Sequence, residues 1–178
     1  MKSNSQSPFK VNLHELPRRA GEMKTYHLQF AAPEPIGIPM LAIKAGQEIE
    51  IDFKAEAVSD GVLISGQITS QAIGECGRCL DELRQEIDQE FRELFLYESR
   101  KLEDEDDDEL FVMDGDIADI EVPIRDAVVL AMPLNPLCKA DCKGLCSECG
   151  ERMEKLAPEH SHEKVDPRWS GLAGWQPK

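Results

Sequence analysis

No stretch of this 178-residue chain approaches the ~20 consecutive apolar residues that a membrane-spanning helix requires. The longest apolar run, Ala127 to Leu134, is interrupted by Pro133. Met1 to Pro17 is polar and lacks the apolar core of a secretory signal, so the expected compartment is the cytoplasm, where thiols stay reduced. The chain also lacks a phosphate-cradling glycine loop, a nucleophile elbow, an HExxH pair and any internal repeat. Neither an enzyme nor a small-molecule substrate is therefore expected. Basic charge is scarce in one region: residues 81–127 carry 5 basic and 19 acidic side chains and account for nearly all of the net charge of −15. Such a chain cannot attract phosphates through its overall field, although a locally neutral or basic face still could.

Cysteine is missing from the 58 residues between Cys79 and Cys138. All six cysteines fall into two clusters, Cys76-Gly-Arg-Cys79 and Cys138-x3-Cys142-x3-Cys146-x2-Cys149. Short turns carrying paired thiols beside glycine are what a metal site needs, each turn supplying two thiolates. Six cysteines exceed one tetrahedral site and fall short of two, and His160 and His162 raise the count to eight. By proximity, Cys146, Cys149, His160 and His162 form one set, leaving Cys76, Cys79, Cys138 and Cys142 for the other. Each set suits a structural zinc ion, because four protein ligands leave no open position for water. The first would tie a β-hairpin to the end of a C-terminal helix, and the second would fold a tail with little core of its own. A zinc ribbon of Cys76, Cys79, Cys146 and Cys149, with Cys138 and Cys142 left over, is the rival partition. An iron–sulfur cluster and a redox-active Cys146-x2-Cys149 pair are further alternatives.

Around these clusters the pattern is α+β: an antiparallel sheet, a C-terminal helix and a small zinc-binding cysteine/histidine module. Ile49, Ile51, Phe53, Ala55 and Ala57 alternate with charged residues, a half-buried strand. Ser59-Asp60-Gly61 is a turn and Val62–Ile73 the returning strand, whose far end delivers Cys76 and Cys79. Gly21 to Phe30 suits a strand, and Val11 to Leu16 a short amphipathic piece. Pro33 to Pro39 reads as an extended connection. Glu82 to Tyr97 suits either period, with aromatic content favouring a strand paired back on the hairpin. The seven acidic residues 103–109 repel one another and stay solvated as a loop. Ile117 to Ile124 introduces a helix ended by Pro133 and Pro136, and Trp169 and Trp175 are expected to pack on the domain. The expected organisation is a core over 10–137, with the first knuckle at 76–79 and an acidic loop at 98–116, followed by a module over 138–178.

Cys76-Gly-Arg-Cys79-Leu80 after a hairpin, the acidic middle, the Leu-Ala-Met-Pro133 helix ending, Gly144-Leu-Cys-Ser-Glu-Cys-Gly150 and Asp166-Pro-Arg168 together resemble the YceD family over roughly residues 10–175. The resemblance implies a bacterial factor in 23S ribosomal RNA accumulation or processing, and hence in large-subunit assembly. In many relatives a Cys-x-Cys pair stands where this chain has His160-Ser-His162, which implies ligand chemistry at that position. A role of this kind needs a surface for the RNA, its precursor particle or a basic ribosomal protein. Arg78, Lys139, Lys143, Arg152 and Arg168 are the candidate contacts. Few phosphates could be met this way, so direct RNA binding would be weak and salt-sensitive. Alternatively, the acidic run would hold a basic ribosomal protein without touching RNA.

Overall fold

The computed structural model describes residues 7–98, 110–162 and 168. Its elements are β1 (Lys10–Asn12), β2 (Met23–Ala31), β3 (Ile36–Ile38), β4 (Leu41–Ile43), β5 (Glu48–Ala57), β6 (Gly61–Glu75), β7 (Glu82–Leu96), β8 (Phe111–Val112), β9 (Ile117–Asp119) and α1 (Glu121–Ala131). A 3-10 turn follows at Met153–Lys155.

The alternating run becomes β5, with Ile49, Ile51, Phe53, Ala55 and Ala57 buried and the intervening charges on the outer face. It pairs antiparallel with β6 from Ile49↔Ser70 to Ala57↔Val62, and β2 adds to its other edge. The ambiguous segment after the first knuckle is a strand, β7, matched to β6 over fifteen residues from Gly61↔Leu96 to Glu75↔Glu82. Ile87, Phe91 and Phe95 suit either period, and the strand prevails because β6 offers a full-length partner whose Val62 faces the same core.

Three expectations change. The proline-rich stretch is not merely extended: β3 lies inside it and pairs antiparallel with β4 just beyond Pro39, and β4 docks on β6 through Leu41↔Gly74 and Ala42↔Ile73. Pro35 and Pro39 stand outside the two strands, where no ladder hydrogen bond is lost. Gly74 permits the docking, since a Cβ there would lie 1.9 Å from the Met40 carbonyl oxygen. Ile117–Asp119 is a strand paired with β1, and the helix begins only at Glu121. The Asp119 carboxylate accepts the Glu121 amide at 3.1 Å, satisfying one of the amides that a helix start leaves open. Pro133 follows Met132, whose extended backbone ends α1. Phe111–Val112, within the stretch expected as acidic loop, pairs parallel with the end of β7. The run 103–109 and both tryptophans lie outside the described residues.

The result is a mainly antiparallel sheet, with α1 and the β1–β9 pair contributing to its buried side. Phe9, Val11, Ala118, Ile120, Ile124 and Val128 join the sheet's apolar residues in one core. The β6–β7 turn lies at one end of this core, and the first knuckle is that turn. Among the described residues, no helix is long and apolar enough to cross a membrane.

Candidate metal centres

Cys76 and Cys79 sit on the turn of the longest hairpin among the described residues. The turn is closed by its own backbone: the Cys76 amide donates to the Asp81 carbonyl at 2.8 Å and the Leu80 amide to the Cys76 carbonyl at 3.0 Å. Leu80 takes a positive φ of 61° to complete it. Pro133 and Pro136 lead the chain out of α1 toward this turn, and the Gly77 amide donates to the Pro136 carbonyl at 2.7 Å. Cys138 and Cys142 thereby arrive opposite the knuckle.

The four sulfurs of Cys76, Cys79, Cys138 and Cys142 lie within 4.8 Å of one another. Cys76 Sγ is 3.8 Å from Cys142 Sγ, and Cys79 Sγ is 3.6 Å from Cys138 Sγ. These separations are far beyond the ~2.05 Å of a disulfide, and all six cysteines are free. They match the edge of a tetrahedron with ~2.3 Å metal–sulfur bonds, which is about 3.8 Å. Cys76, Cys79 and Cys142 are buried, with Leu137 and Leu145 packed against them. A cavity of about 160 Å³, lined in part by Cys79, Cys138, Gly144 and Arg152, gives access to the set.

The second set is Cys146, Cys149, His160 and His162, whose donor atoms also lie within 4.8 Å of one another. Cys149 Sγ is 3.7 Å from His160 Nε2, and the two imidazoles meet edge to face at 4.5 Å. The Gly150 amide donates to the Cys146 carbonyl at 2.9 Å, the same closure seen at Leu80 in the first knuckle. Unlike the first set, none of its four ligands is buried. The ribbon partition of Cys76, Cys79, Cys146 and Cys149 is not among the groups assembled by the described residues.

Backbone geometry prepares one thiolate in each knuckle. Burial pushes the Cys76 thiol up, but amides of Cys138, Cys79 and Arg78 together outweigh it and hold its pKa at about 6. Cys146 is also held at about 6, by the Cys149 and Glu148 amides and the His160 ring. Cys79 is pulled down by the Asp81 amide, yet burial and the neighbouring thiols Cys76, Cys138 and Cys142 push it up to about 12. Four sulfurs this close cannot all ionise without a cation between them. Both sets therefore have the donor chemistry and spacing to hold a metal ion.

The five basic residues expected to contact a partner are distributed unevenly. Arg78 donates from Nη1 to the Cys142 carbonyl at 2.8 Å. Arg152 pairs with Asp81, and Lys139 pairs with Glu154. Those three bind partners within the knuckles, and Arg78 and Lys139 remain exposed, as Lys143 and Arg168 are. Asp81 and Glu154 belong to the site as much as their basic partners do. No spacing rule identifies them, because each pair spans a contact made only by folding.

A family model, described as large ribosomal RNA subunit accumulation protein YceD, matches residues 64–175. This chain belongs to the YceD family. The matched span includes both knuckles and all eight donors. Among YceD relatives, the uncharacterized protein Rv2926c of Mycobacterium tuberculosis is 39% identical over 167 residues, covering 93% of this chain and 80% of the relative. The uncharacterized protein ML1660 of Mycobacterium leprae is 34% identical over 168 residues, covering 93% and 76%. The uncharacterized protein YlbN of Bacillus subtilis is 25% identical over 122 residues, covering 68% and 67%. No solved structure matches the chain significantly. The family description supports a ribosome-related role at the level of the family.

Proposed function

We propose that this YceD protein is a cytoplasmic, non-enzymatic factor in the accumulation or processing of large-subunit ribosomal RNA, built around two structural zinc ions. The family match carries this reading, and the two four-donor sets support its zinc component. Sets of two or more thiolates completed by thiolate or imidazole suit zinc, and four protein donors fill its tetrahedral shell. The ions would fold a presenting surface and would not perform chemistry. In this reading residues 10–137 form the core domain and 138–178 the metal-binding module.

The RNA or precursor particle would meet the module face. Arg78, Lys139 and Lys143 are exposed cations of this face, Arg152 is half-buried, and Arg168 is exposed near the end of the chain. So few phosphate contacts predict weak, salt-dependent binding. The test is sedimentation of cell extract containing the tagged full-length protein. Co-migration with large-subunit precursors is expected, and migration only as free protein would overturn the assembly role.

A second reading is favoured by the outer face of the sheet. Glu50, Asp52 and Glu56 on β5 and Glu86, Asp88 and Glu90 on β7 flank the small polar residues of β6. On this face Asp52, Glu56 and Glu90 share a hollow of about 610 Å³ with Lys54 and Arg92. Acidic side chains outnumber basic ones there, and such a face would suit a basic ribosomal protein. Crosslinkers placed at Lys143 and at Gln67 separate the readings. RNA adducts from Lys143 support the first, and protein adducts from Gln67 alone replace it with the second.

A further inference from the structure

The two metal sets are unequal in what supports them. The first stands on the β6–β7 turn, and three of its four ligands, Cys76, Cys79 and Cys142, are buried. The second lies in residues 143–162, where the only buried residue is Gly144, which has no side chain to contribute. Local regular structure there is limited to the Leu145↔Arg152 bridge and the 3-10 turn at Met153–Lys155. A segment without a core does not hold four donors in place by itself, because ordering each residue costs about 1–2 kcal/mol of backbone entropy.

What orders the segment is the first knuckle. The Leu145 amide donates to the Arg78 carbonyl at 3.1 Å, and the Leu145 side chain packs against the cluster of Cys76, Cys79 and Cys142. Arg152 pairs with Asp81, two residues beyond Cys79, and Glu154 pairs with Lys139, next to Cys138. Gly144, at φ 75°, lies so close that an added Cβ would stand 2.9 Å from the Arg78 carbonyl oxygen. Each of these contacts lands within two residues of, or directly on, a ligand of the first set. In return Gly144, Arg152 and Glu154 line the cavity through which Cys79 and Cys138 are reached.

We infer that the two sets load in a fixed order, the first organising the platform on which the second forms, with Arg152 as the positioning residue that couples them. This rests on the metal reading above. Coupling between sites is reciprocal in binding free energy. A filled second set therefore also tightens binding of the ion in the first, by keeping the cap formed by 144–154 in place.

The test uses full-length protein, zinc titration and site-resolved thiol alkylation read by mass spectrometry. Wild type should bind two ions with all six thiols protected. Cys146→Ser/Cys149→Ser should bind one ion and keep Cys76, Cys79, Cys138 and Cys142 protected. Cys76→Ser/Cys79→Ser should bind none, with Cys146 and Cys149 alkylated as fast as in the chelated protein. Because that variant removes ligands outright, Arg152→Gln is the decisive companion. It leaves every donor in place and should weaken the second ion by 10- to 100-fold, the usual effect of losing a supporting hydrogen bond near a metal site. The swap Asp81→Arg/Arg152→Asp should restore the wild-type affinity. Retention of one tightly held ion at Cys146 and Cys149 in the Cys76→Ser/Cys79→Ser variant, or unchanged affinity in Arg152→Gln, would overturn the order. A wild-type protein that binds no zinc would overturn the metal reading itself.

Discussion

At the scale of single residues, glycines and charges do work that their positions alone do not reveal. Gly74 lets β4 dock on β6, and Gly74→Ala would drive a methyl into the Met40 carbonyl. Overpacking of this kind costs about 1–3 kcal/mol, read as a lower denaturant midpoint with the zinc content unchanged. His27 accepts a different test. Its ring bonds to Asp52 across the β2–β5 pair at 2.9 Å, with Glu50 nearby, and the Asp52 bond raises its pKa above the usual value. A raised folded pKa means that protonated His27 adds stability below the unfolded value of about 6.5, and that this is lost as pH rises through the folded value. His27→Thr should therefore be less stable than wild type just below about pH 6.5. The two should converge at higher pH, and parallel melting curves across that range would refute the coupling.

At the scale of elements, α1 joins the sheet's far side to the metal module. Its Ile124 and Val128 are fully buried, and Arg125, paired with Glu121 one turn earlier, ties the helix to the Pro35 carbonyl. Ile124→Ala should cost about 2–5 kcal/mol as a core truncation, checked by urea denaturation. The helix and the long strand β7 show different degrees of legibility. The apolar run and its prolines announce the helix, but its start was displaced because β1 recruits Ile117–Asp119 as a strand partner. β7 carries spacing that suits either period, and only pairing with β6 decides it. The small β3–β4 pair was hidden because prolines flank it, and a two- or three-residue strand has no periodicity to detect.

At the scale of the whole molecule, one large apolar core and one thiolate-centred cluster are separate bodies of packing. Removing metal should therefore act on them differently. Chelation is expected to leave the sheet's circular dichroism and its cooperative unfolding largely in place, while amides of residues 143–162 lose hydrogen-exchange protection. Simultaneous loss of protection throughout the sheet would show that the core depends on the ions. His160→Ala/His162→Ala should lower the zinc content from two ions to one, and an unchanged content would show that the second set is not built as its geometry suggests.

The eight candidate donors and the β5–β6 hairpin whose far end delivers the first pair were written in local patterns: CxxC spacing, period-two alternation and a turn at Ser59-Asp60-Gly61. Those signals survive because each depends on neighbours only a few residues away. The partition of ligands over the 58-residue gap, and the capture of Arg78, Arg152 and Lys139 by Cys142, Asp81 and Glu154, depend on where distant backbone comes to rest. The family resemblance marked those cations as a surface for a partner. Tertiary structure spends three of them on holding the knuckles together, because a carbonyl or carboxylate placed within reach competes directly with solvent and with any phosphate.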